Sequence, residues 1–76
     1  MDAEYLVQMV NDIGNFFTPA HPPAQAAKEI AAHIRRSWDP RMRKQIVEVW
    51  QGGAADFSDA GRAAIAILAA DPPRAG

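Results

Sequence analysis

Residues 35–46 read RRSWDPRMRKQI. Asp39-Pro40 is a helix-start signal, because aspartate caps a helix N-terminus well and proline suits the first helical position. One helix therefore ends near Ser37 and another begins at Pro40, with Trp38 between them. The same stretch holds five of the chain's eight basic residues, although the net charge is only -1. Both the architecture and the function turn on this corner.

Upstream, the helix leading into the corner spans about residues 22–37, with Ala27, Ile30, Ala31 and Ile34 on its inner face and Trp38 closing it. TPAHPP, residues 18–23, separates it from a first helix over 3–17. There Leu6, Met9, Val10, Ile13, Phe16 and Phe17 share one apolar face, while Glu4, Gln8, Asn11, Asp12 and Asn15 take the other. Downstream, the helix from Pro40 runs to about residue 51, with Met42, Ile46, Val49 and Trp50 as its apolar stripe. Gly52-Gly53 ends it, since glycine accepts the left-handed conformation after a helix.

Ser58 is placed to cap a fourth helix, which reaches about residue 70. Its interior holds one polar residue, Arg62; Ile65 and Leu68 lie on one side and Ile67 nearly opposite. A helix apolar all round is usually buried all round. A chain this short can hardly surround one, so the pattern leaves either a stray exposed Ile67 or a docking face. DPPRAG, residues 71–76, stops the helix and is expected to form a flexible tail. The fold class is all-α: a small bundle of three main helices plus a shorter C-terminal helix, in a single helical domain over 1–70.

With 76 residues, such a domain buries only about 60% of its unfolded surface. Sixteen of the apolar residues are alanine, which points to a thin core or a shared one. Cysteine is absent, so no disulfide or thiolate metal site is available, in keeping with a reducing cytosol. MDAEYL, residues 1–6, is acidic where an export signal would be basic. The longest apolar run, AAIAILAA, falls short of the about 20 residues that span a bilayer. The expectation is a soluble cytoplasmic protein.

No catalytic constellation is apparent. His21 and His33 share no local motif. Glu29 and His33 stand four residues apart, a spacing that can hold a metal, but two ligands are weak evidence and a solvated pair is the ordinary outcome. Ser58 reads as a cap rather than a nucleophile. QGGAAD, residues 51–56, has glycines without a following lysine and is no phosphate loop. No catalytic, cofactor-binding or metal residue is expected in this chain.

The corner itself breaks a rule. Arg35 and Arg36 end a helix, where the macrodipole favours cations. Arg41, Arg43 and Lys44 begin one, where it favours acids; each placement costs about 0.3 kcal/mol or more. Arg43 falls beside Trp50, while Arg41 and Lys44 share a polar face with Glu48. A solvated charged face is the ordinary reading, but three unfavourable placements together point to a functional surface.

The same residues carry a resemblance. HIRRSWDPRMRKQI, residues 33–46, resembles the signature of the delta subunit of NAD-dependent, molybdenum-containing formate dehydrogenase, with WDPRM (38–42) its most specific part. The likeness extends back through LVQMVNDIGNFF (6–17) and forward to Gly52-Gly53, then weakens. Ser37 stands where that family commonly has an aromatic residue, and Phe57-Ser58-Asp59 replaces a leucine-and-proline turn. The resemblance implies a non-catalytic subunit that helps assemble or stabilise a soluble complex. The molybdenum cofactor, iron-sulfur clusters, flavin and NAD would all sit on other subunits. The alpha subunit would be the partner, met through Trp38, Asp39, Pro40, Arg41, Met42, Arg43 and Lys44. The main alternative is a helix-turn-helix-like nucleic-acid binder with Arg41, Arg43 and Lys44 at the groove. The net charge of -1 and the scarcity of base-reading side chains beyond Gln45 stand against it. A self-associating helical protein is a third reading.

Overall fold

The computed structural model describes residues 2–53 and 55–70. Four helices follow in order: α1 (Ala3–Phe17), α2 (Pro23–Ser37), α3 (Pro40–Gly52) and α4 (Asp59–Ala70). No strand occurs among the described residues. The expected tail, 71–76, lies outside them.

Local chemistry sets the boundaries. Asp2 caps α1, accepting from the backbone N–H of Glu4 at 3.2 Å. Thr18–Ala20, which the TPAHPP break did not reveal, forms one 3-10 turn that continues the chain past Phe17. Proline occupies the first position of α2 and of α3, where its missing N–H would lack an intrahelical partner anyway. Gly53 ends α3 at φ 76°, the left-handed region.

The core joins all four helices: Leu6 and Val10 from α1, Ile30, Ala31 and Ile34 from α2, Ile46 from α3, and Ala64, Ile65 and Leu68 from α4, with Trp38 and Phe57 from the connections. The α2–α4 contact is the most extensive. Small residues are buried on both helices, Ala26, Ala27 and Ala31 on α2 and Gly61 and Ala64 on α4, with Gly61 set against Val10 and Asn11 of α1. Four of the sixteen alanines, Ala26, Ala27, Ala31 and Ala64, are thus buried between helices.

Two expectations change. The fourth helix is the shortest, as expected, and contacts α1, α2 and α3, and its Ile67 packs partly buried against the core rather than standing exposed. The bundle covers α4 on one side only, leaving Asp59, Arg62, Ala63 and Ala70 exposed. On α1, Phe16 is 76% exposed although the periodicity put it on the inner face. Gly14 takes the buried place instead, four residues after Val10, and the rings of Phe16 and Phe17 meet edge to face with centroids 5.1 Å apart.

Candidate partner-binding corner

Trp38 is the pivot. Its backbone N–H donates to the Ile34 carbonyl at 2.8 Å, closing α2, and its own backbone is extended. The indole is 5% exposed within the core cluster. Asp39 follows as the N-cap of α3, its Oδ1 accepting from the Met42 N–H at 3.0 Å. The Arg43 N–H donates to the Asp39 carbonyl at 3.1 Å. The carboxylate at the positive end of α3 offsets part of the dipole conflict that the three following cations create.

The seven residues of the corner divide by depth. Trp38 is buried and Met42 is half-buried against the core. Asp39, Pro40, Arg41 and Lys44 are exposed, and Arg43 is intermediate. Arg35 and Arg36, from the end of α2, are also exposed. Among the described residues no ion pair or side-chain hydrogen bond engages Arg41, Arg43 or Lys44. Residues 35–44 carry five cations and one acid, whereas the rest of the chain carries three cations and eight acids. The molecule is therefore strongly charge-segregated despite its small net charge.

Ser37 is exposed, and Trp38 is nonetheless packed without an aromatic neighbour there. Phe57 enters the core at 6% exposure. Ser58 caps α4: its Oγ accepts from the Gly61 N–H at 3.1 Å. Asn11 fastens the same segment to α1. Its Oδ1 accepts from the Ser58 N–H at 2.8 Å, and its Nδ2 donates to the Asp56 carbonyl at 3.0 Å.

Sequence reading found no motif shared by the histidines, whereas the fold sets each of them near Phe17. The rings of His21 and His33 lie 6.2 and 6.1 Å from that of Phe17. Glu29 meanwhile accepts from Gln25 Nε2 at 2.7 Å. Among the described residues no three or more His, Asp or Glu side chains gather as a metal site would require. Nor is any helix among them long and apolar enough to cross a membrane.

The chain matches the family described as NADH-dependent formate dehydrogenase delta subunit FdsD over residues 5–65. That span includes the corner and continues past Gly53, where the sequence resemblance weakens, through Phe57-Ser58-Asp59 and into α4. No curated protein and no solved structure matches the chain. The chain belongs to this delta-subunit family, and the other subunits of the formate dehydrogenase complex are accordingly its partners.

Proposed function

We propose that this delta subunit is a non-catalytic accessory that helps assemble or stabilise a soluble, cytoplasmic formate dehydrogenase complex, docking on the alpha subunit through the corner at residues 38–44. The carrying observation is that Arg41, Arg43 and Lys44, exposed or half-exposed, have no ion pair among the described residues and stand on a turn fixed by a buried tryptophan. Trp38 holds the corner from inside, Asp39 and Pro40 start α3, and Met42 ties its first turn to the core. Arg41, Arg43 and Lys44 then meet carboxylates or carbonyl ends on the partner. The molybdenum cofactor, iron-sulfur clusters, flavin and NAD belong to other subunits, and this chain supplies support rather than ligands.

The test is co-purification of tagged chain with the large subunit. Arg41→Ala and Arg43→Ala should each weaken assembly, since truncating one side of a buried charge pair typically costs about 2–5 kcal/mol of binding. Assembly at wild-type affinity in physiological salt would reduce the corner to a solvated surface. Loss instead of a salt-sensitive DNA shift would favour the nucleic-acid reading.

A further inference from the structure

α1 carries two apolar rows. Leu6, Val10 and Gly14 form the buried one. Tyr5, Met9, Ile13 and Phe16 form a second ridge, roughly a quarter-turn round the helix at about 3.6 residues per turn. The fold uses this ridge only in part. Met9 and Ile13 are partly buried against the core, whereas Tyr5 is 55% and Phe16 76% exposed. These are the two large apolar side chains left exposed among the described residues, and both fall on the one ridge, about three turns apart.

The Phe16 end of the ridge runs into the basic corner. The Phe16 and Phe17 ring centroids are 5.1 Å apart, and the Phe17 ring lies 6.1 Å from that of His33. Arg36, exposed, stands three residues on from His33 and is its neighbour on the surface of α2. Ser37 and the corner follow directly.

We infer that the outward ridge of α1, with Phe16 as its anchor, is the apolar half of the surface whose basic half is the corner. One subunit of the complex covers both, with the ridge seated in an apolar groove of that subunit. The inference rests on the corner reading and adds to it the contact that holds the two chains together. Charges at an interface govern the rate of association and its salt dependence more than its strength, whereas aromatic side chains are enriched in interfaces. Size points the same way. A strip one helix wide, about 10 Å, and about 16 Å long is a small part of the about 800 Å² per partner that a stable association buries. The ridge therefore needs a continuation, and the corner is the surface it adjoins. Charge argues against a second copy of this chain. α1 and its cap hold Asp2, Glu4 and Asp12 and no basic residue, so two ridges packed together would set acids against acids. The other subunits of formate dehydrogenase are this chain's partners, and the occupant is one of them.

The experiment titrates formate dehydrogenase complex lacking this chain with purified chain at several salt concentrations. Phe16→Ala should weaken binding about tenfold or more, through faster dissociation, and leave the salt dependence unchanged. Arg41→Ala should flatten that dependence. Melting of the isolated Phe16→Ala chain should stay near wild type because the ring is exposed; if it falls, Tyr5→Ala, at the other end of the ridge, carries the same test. Benzoylphenylalanine in place of Phe16, and separately in place of Lys44, should cross-link to the same subunit. Unchanged binding by Phe16→Ala and Tyr5→Ala, while Arg41→Ala weakens it, would overturn the ridge and leave the corner standing. Capture of two different subunits would refute a shared surface. If the wild-type chain alone sediments as oligomers that Phe16→Ala abolishes, the ridge belongs to a second copy and the proposal falls. If the chain does not bind the depleted enzyme at all, the delta-subunit reading fails first and the ridge fails with it.

Discussion

The backbone N–H of Ser58 donates to Asn11 Oδ1 at 2.8 Å, across 47 residues of sequence. Through its other arm, Asn11 also holds the Asp56 carbonyl. One half-buried amide on α1 thereby fixes where α4 begins. Asn11→Ala should destabilise the chain by about 1–3 kcal/mol, the usual cost of leaving such groups unsatisfied. Asn11→Asp should fare little better, because a carboxylate can accept from Ser58 but cannot donate to Asp56. Denaturant melts of the two variants check this; wild-type stability for both would show that the latch is dispensable.

Glycines on the inner surfaces should respond oppositely to alanine. At Gly61 a Cβ would stand 3.0 Å from both Ser58 Oγ and Val10 Cγ1, with Asn11 Oδ1 at 3.3 Å. Overpacking of this kind costs about 1–3 kcal/mol and outweighs the roughly 1 kcal/mol gained in helix propensity. At Gly14 the nearest atoms are 3.5 and 3.6 Å away, an ordinary contact. Gly61→Ala should therefore lower the melting temperature and Gly14→Ala should raise or preserve it. The reverse order would contradict the packing described.

Trp38 and its charged neighbours separate by the same kind of measurement. Trp38→Ala removes a buried indole and should cost about 3–5 kcal/mol of isolated stability. Arg41→Ala and Arg43→Ala should leave that stability unchanged or slightly raised, since each removes a cation from the positive end of α3. A large loss of isolated stability on removing either arginine would reassign it to the fold.

Asp39→Ala is the complementary case. It removes the cap that accepts from Met42 and the one acid in residues 35–44, at the positive end of α3. Stability should fall by about 1–2 kcal/mol, with α3 fraying from its first turn. Hydrogen exchange at the Met42 and Arg43 amides would report it; unaltered protection at both would place the start of α3 under tertiary control alone.

The four helices were legible because their ends are written locally. Proline at positions 23 and 40, aspartate at 39, serine at 58 and glycine at 53 act within a few residues of where they stand. What stayed hidden depends on pairs far apart in sequence. Periodicity alone could not choose between Phe16 and Gly14 for the inner place, since that choice is made by Ile30 on α2 and Ser58 before α4, which lie beside Gly14. The convergence of His21 and His33 on Phe17 is likewise a product of helix packing. The basic corner was legible as charge and as a turn. Its division into a buried indole and an exposed rim was not, because Trp38 is covered by residues from other helices.

The central place of α4 bears on how the subunit is made. Ile30, Ile34 and the corner tryptophan share their core with Ala64, Ile65 and Leu68. A nascent chain ending before Ala64 has the basic residues but not the scaffold that aims them. The corner therefore takes its final shape only once α4 has been made, so what a partner recognises there depends on residues well downstream of it in the chain.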